Sequence, residues 1–235
     1  MDDFSKMIEG IATIAEISAI YYNSLVRAGL SEEYAVTLTA KAMGEIMRSL
    51  LTETQRRINM SNYIFLIVGP SGSGKSTICD MLEKALGLTP IPSYTTRKPR
   101  FHGEKGHVFL TDEEFDQLGE LVGYTKFDGH RYAATQKDVE NSDLYVIDPA
   151  GVSYFKEHYH GKKQACVVGI WATEAARKKR MFLRGDPEDT IQRRLEGDRA
   201  IFSTDICDVV FYNKNLQETY DAVAQYIFRK IYVKS

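Results

Sequence analysis

No apolar stretch in the 235 residues is long enough to cross a bilayer, and the chain opens on Asp2 and Asp3 rather than a basic segment. Neither a membrane span nor a signal peptide is therefore expected. Cysteine is scarce: Cys79, Cys166 and Cys207 lie far apart, with no CxxC or metal-ligand spacing. An odd, dispersed set of this kind suits buried free thiols in a reducing compartment, so a cytoplasmic protein is expected. Four of the five histidines, His102, His130, His158 and His160, form no metal-ligand grouping with Cys or acids, and His107 is a candidate to bond a phosphate when protonated. Charge of one sign is also lacking. Thirty Lys+Arg against 32 Asp+Glu leave a net −2, which provides no broad field for nucleic acid or anionic lipid. What remains has ordinary globular composition and a length that suits one domain plus an appendage, or two small domains.

The most informative stretch runs from Tyr63 to Leu86. An apolar run, Ile64 to Val68, leads into GPSGSGKS (Gly69 to Ser76), and Ile78, Met81, Leu82 and Leu86 then recur at helical spacing. Strand, glycine-rich loop and helix in that order are what a phosphate-binding loop requires. Gly69, Gly72 and Gly74 let several backbone N–H groups converge, and the new helix adds its positive end. Lys75 is placed to reach the outer phosphates of a nucleoside triphosphate, and the Ser76 hydroxyl to take a position on Mg²⁺. Ser71, Ser73 and Thr77 complete the candidate ATP-binding segment. No metal other than Mg²⁺ carried with ATP is expected.

Residues from about 4 to 58 read as two helices. Ile8, Ile11, Ala15, Tyr22 and Leu25 share one face of the first, which Gly29 is placed to cap. Ser31 offers an N-cap, with Glu32 and Glu33 in the first turn, for a helix running towards Arg57 with Val36, Met43, Ile46 and Leu50 on one face. So short a break predicts an antiparallel hairpin. Two helices bury little, so the hairpin (1–59) must pack on the adjoining domain, on a second copy, or on a partner. From Asn62 onward strands (Leu144–Ile147, Ala165–Trp171) alternate with helical patterns (Asp112–Leu118, Thr173–Leu183, Leu216–Ile231). This predicts an α/β domain over 60–235 with a parallel sheet and ligands at the strand C-termini.

The segment Ser93-Tyr-Thr-Thr-Arg97-Lys-Pro-Arg100, followed by Gly103-Glu104, resembles the guanylate kinase family. The resemblance extends through Asp112–Phe115, Phe127–Tyr132, Val146–Gly151, Arg180–Gly185 and Asn213–Leu216, and covers about residues 62 to 233. It implies a P-loop three-layer fold with an acceptor-binding region (about 93–143) and a lid (about 178–198). It also implies transfer of the ATP γ-phosphate to GMP or dGMP. Arg97, Arg100 and Tyr132 match positions that bind the acceptor phosphate, a task that suits paired guanidinium groups. Ser93 and Asp148 match base-reading positions. Arg180, Arg184 and Arg194 match lid arginines that spread charge off the moving phosphoryl group, with Arg193 and Arg199 less secure. Asn213 matches a position near adenine, although an Asn before a helix is also common as a cap.

The chain departs from the family at the base. Gly123 stands where a glutamate is expected, Ala134 where a serine is, His107 where a tyrosine faces the acceptor phosphate, and Val146 where the first of two acids ends a strand. Phosphate-handling residues persist and base-reading ones are thinned. Losing a carboxylate partner to a polar base edge costs a factor of hundreds or more in discrimination, so a different acceptor, nucleotide or phosphorylated sugar, stands beside GMP. Glu120, Lys126 and Asp128 are nearby polar candidates. A non-catalytic nucleotide-binding or interaction module is the alternative of another class, disfavoured by the intact loop and lid arginines.

Overall fold

A computed structural model describes residues 15–16, 18–50, 62–99, 102–104 and 106–232. Arg100, the start of the first predicted helix and the end of the second lie outside the described residues. The chain divides into two compact units, Met1–Ile58 and Asn59–Ser235.

In the first unit, α1 (18–27) ends at Gly29, whose φ is +89°. The Leu30 N–H donates to Leu25 O at 3.2 Å and the Gly29 N–H to Val26 O at 3.0 Å, the paired closure that a left-handed residue after a helix allows. Ser31 then opens α2 (Glu32–Leu50), its Oγ accepting from the Tyr34 N–H at 3.3 Å. Both expected caps are present. Val36, expected on the packing face of α2, is instead 56% exposed.

The second unit is built on β1 (Tyr63–Val68), whose five residues from Ile64 to Val68 are all fully buried. A strand buried on both faces belongs at the centre of a parallel sheet. β1 lies between β6 (Leu144–Val146) and β7 (Gln164–Trp171), with β8 (Val209–Tyr212) outside β7, and every pairing in this sheet is parallel. Phe65 and Ile67 face one way, against Ile78 and Leu82 of α3 (Lys75–Leu86) and Val223 and Ile227 of α9 (Leu216–Tyr232). Ile64, Leu66 and Val68 face the other way, against Val152 and Phe155 of α6 (Pro149–His158). The helices that follow neighbouring strands β1 and β6 thus leave on opposite sides of the sheet. Their divergence opens a crevice at the strand C-termini.

A second sheet, not foreseen from the strand pattern, has the order β3-β2-β5-β4: β2 is Ser93–Thr95, β3 His107–Phe109, β4 Thr125–Phe127 and β5 His130–Ala133. Only β2 and β3 run parallel in it. Two short helices attached to it, α4 (Asp112–Asp116) and α5 (Gln136–Glu140), each start with a reciprocal capping box, Thr111 with Glu114 and Thr135 with Asp138. α7 (Glu174–Leu183) and α8 (Glu188–Ile201) complete the unit and pack through Met181, Ile191 and Leu195.

Candidate active site at the phosphate loop

The loop leaving β1 enters α3 through Gly74, which has φ +105°; a Cβ there would lie 2.4 Å from Asn213 Nδ2. Gly72, at φ +75°, passes so close to α7 that a Cβ would meet Arg177 O at 2.8 Å. Side chains at either position would collide with the groups that hold the loop, which explains the glycines better than flexibility does.

Lys75 turns back over its own loop and donates to Gly69 O at 2.5 Å and Pro70 O at 3.1 Å. Burial of the ammonium pulls its pKa down from 10.5 to about 8, against the opposing pull of Asp198. Ser76 and Thr77 are exposed in the first turn of α3, where backbone N–H groups have no helical partners.

Arg180, expected as a lid arginine, is hydrogen-bonded to the loop backbone. It donates to Ser73 O at 3.0 Å and to Asn213 O at 3.0 Å. Asn213 is buried and its Nδ2 donates to Ser73 O at 2.8 Å, so it fastens the loop rather than capping a helix. The cap of α9 is Asn215, whose Oδ1 accepts from the N–H groups of Gln217 and Glu218. Two of the other arginines expected in a lid meet at one carboxylate: Arg184 chelates Asp186, and Arg194 Nη1 lies 3.4 Å from Asp186 Oδ2. Arg194 Nε is buried without a partner among the described residues. Arg193 reaches Asp128 at 3.0 Å, and Arg199 is bound to Glu174 on the surface.

One cavity of about 170 Å³ joins Gly69, Ser71 and Lys75 to Ser93, His107, Tyr132 and Asp148, with Arg194 and Asp198 at its wall. Asp148 N-caps α6 through the Gly151 N–H at 2.7 Å and accepts from Thr125 Oγ1 at 2.9 Å. Burial nonetheless raises its pKa above the usual carboxylate value. Ser93 Oγ lies 2.8 Å from His107 Nδ1, so the histidine found where a tyrosine is expected is tied to Ser93, the residue expected to read the base. Arg97 is 8% exposed and held by both oxygens of Glu104, at 2.8 and 3.1 Å. Its guanidinium is thereby oriented but not open on every edge. Glu120, Lys126 and Ala134 are absent from the cavity lining, and Asp128 is present.

Arg177, at the start of the basic run Arg177–Arg184, and Asp198 were assigned no role from the sequence. Both are buried, and both touch Ser71. The signal was available: Ile191, Leu195 and Asp198 recur at helical spacing, as do Arg177 and Met181, so a charged residue ends each apolar stripe.

A parallel sheet with a phosphate loop at the end of its central strand defines a P-loop nucleotide-binding domain. No family model matches the sequence. Among curated proteins, the guanylate kinase of Fusobacterium nucleatum is 30% identical over 145 residues, which span 57% of this chain and 77% of that one. The guanylate kinase of Helicobacter pylori is 29% identical over 175 residues, 68% of this chain and 84% of that one. The crystal structure of guanylate kinase from Anaplasma phagocytophilum shares the fold, with a TM-score of 0.57 and 22% identity over 74% of this chain and 88% of that chain. The chain belongs to the guanylate kinase family.

Proposed function

We propose that this protein is an ATP-dependent nucleoside monophosphate kinase that transfers the γ-phosphoryl group of ATP to GMP or dGMP. The observation that carries the reading is the single cavity joining the phosphate loop to Ser93, Tyr132 and Asp148. Phosphoryl transfer needs donor and acceptor in line, with positive charge around the moving group. The loop N–H groups and Lys75 hold the β- and γ-phosphates, Arg97, Arg100 and Tyr132 the acceptor phosphate, and Arg184 and Arg194 the charge that develops in transfer. Arg180 and Asn213 act by fixing the loop carbonyls, and Ser93 and Asp148 read the base.

The residues present fit Mg²⁺ carried with ATP. Ser76 is exposed at the start of α3 and its hydroxyl has no protein partner among the described residues. Ser76 would hold Mg²⁺ there, and the ion would supply positive charge to neutralise the phosphates. No group of His, Cys, Asp and Glu among the described residues forms a metal site of its own.

One observation favours a different nucleotide acceptor for the same transfer: Tyr145 occupies the space beside Gly123. An ADP-release assay with ATP·Mg²⁺ against GMP, dGMP, AMP, CMP, UMP, dTMP and IMP decides between them. Lys75→Met is the negative control. Turnover confined to GMP and dGMP supports the first reading, turnover with another base the second, and silence across the panel defeats both.

The three free cysteines support a cytoplasmic setting. No helix among the described residues is long and apolar enough to cross a membrane. Residues 1–59 are read as an addition to the kinase domain (60–235) for oligomerisation or partner docking. Exposed Ile20, Tyr21, Tyr34 and Val36 support that reading. Light scattering on the full chain tests it.

A further inference from the structure

We propose that Arg177 and Asp198 are positioning residues that clamp the Ser71 peptide of the phosphate loop and so tie ATP binding to the placement of both lid helices. The inference rests on the kinase reading above.

The clamp grips one peptide residue by both of its polar groups. Arg177 Nε donates to Ser71 O at 2.8 Å, and Asp198 Oδ2 accepts from the Ser71 N–H at 2.8 Å. The two side chains also bind each other through Arg177 Nη2 and Asp198 Oδ2, and they are only 6% and 2% exposed as residues. Ser71 Oγ stands 3.4 Å from Asp198 Oδ1. Arg177 comes from α7, which also carries Arg180; Asp198 comes from α8, which also carries Arg194.

Three consequences follow from this geometry. The Ser71 N–H is committed to a carboxylate, so anion binding by the loop falls to the N–H groups after it. Second, the loop cannot change its curl at Ser71 without breaking charge-assisted hydrogen bonds to both helices. Third, Asp198 lines the cavity and its charge acts on Lys75. Arg177 balances a buried carboxylate that would otherwise repel phosphate. Packing alone does not call for this arrangement, because a buried ion pair is commonly replaced by apolar residues without loss of stability.

The test is steady-state kinetics and thermal melting of the full chain carrying Arg177→Leu with Asp198→Ala, beside Asp198→Asn alone. The double variant removes both charges and both grips on Ser71. It is expected to melt within a few degrees of the parent and to raise KM for ATP·Mg²⁺ at least about tenfold, with the KM for the acceptor within twofold. Asp198→Asn keeps an oxygen that can accept from the Ser71 N–H, so its KM for ATP should stay well below that of the double variant. A double variant that stays folded with an unchanged KM for ATP overturns the proposal. So does equal loss of affinity for ATP and acceptor, which a general structural defect would give, and so does an Asp198→Asn variant as impaired as the double. If the double variant does not fold, Asp198→Asn is compared with Asp198→Ala by titration with ADP, and equal affinities reject the clamp. A parent that neither binds ATP nor turns over any acceptor would defeat the kinase reading itself, a result distinct from all of these.

Discussion

The hydroxyl of Tyr145 donates to the carbonyl of Gly123 at 2.9 Å, and the Tyr145 ring lies where a side chain at 123 would begin: an added Cβ would be 2.5 Å from Cε1. Tyr145 is 2% exposed and lines the cavity that joins the phosphate loop to Ser93 and Asp148. Loss of the glutamate expected at 123 is therefore not a simple vacancy, because an aromatic ring from β6 has taken its space.

Gly123→Glu should consequently lower stability rather than restore a base-reading acid, by about 1–3 kcal/mol for overpacking. Tyr145→Ala alone should cost about 3–5 kcal/mol for the cavity it leaves. Combined, the two should destabilise less than their sum. Urea unfolding of the four proteins in the cycle measures the coupling, and strict additivity would contradict shared space.

Lys75 makes ATP binding dependent on pH. Its pKa, pulled down to about 8 by burial, means that the free protein loses the ammonium as pH rises through 8, and affinity for ATP should fall between pH 7 and 9. Bound phosphates favour the charged form, so binding above pH 8 should take up protons. Calorimetry in buffers of different ionisation heat reads that uptake. Lys75→Met should show weak binding with no uptake. For folding, the unfolded state binds the extra proton between pH 8 and 10.5, so this group's contribution to stability improves as pH rises through that window.

Arg97 is expected to matter to one substrate only. Arg97→Lys keeps the charge and loses the fork that Glu104 holds. KM for the acceptor should rise roughly ten- to hundredfold with KM for ATP unchanged, given what charge-assisted hydrogen bonds contribute. Initial rates with each substrate varied in turn provide the check. Arg97→Ala is the poorer variant, since breaking a buried pair costs about 3–5 kcal/mol of stability.

The thiols should be inert while the protein is folded. Burial pushes Cys79 up to about 12 and Cys207 up to about 11, and it raises Cys166 as well. At pH 8 almost no thiolate is present, so alkylation by iodoacetamide should be slow in buffer and fast for all three in urea. Fast modification of any one in the folded state would contradict this burial.

What the sequence determined by itself is the local machinery. GPSGSGKS between an apolar strand and an amphipathic helix identifies the phosphate loop because strand, turn and helix preferences all act over a few residues. Gly29 and Ser31 could be recognised as caps for the same reason. Family motifs marked Ser93, Arg97, Tyr132 and Asp148, and folding brings Ser93, Tyr132 and Asp148 into one cavity. The tertiary structure decided what holds those groups. Ser71 is 106 residues from Arg177 and 127 from Asp198, and no local preference reports a contact across that distance. The sequence marked Arg180 as a lid group and Asn213 as a residue near adenine; that both also hold the Ser73 carbonyl follows from the packing of α7 and the end of β8 against the loop. Tyr145 at Gly123 likewise follows from packing. A burial pattern shows that a residue is inside; only the assembled fold shows which neighbour it meets there.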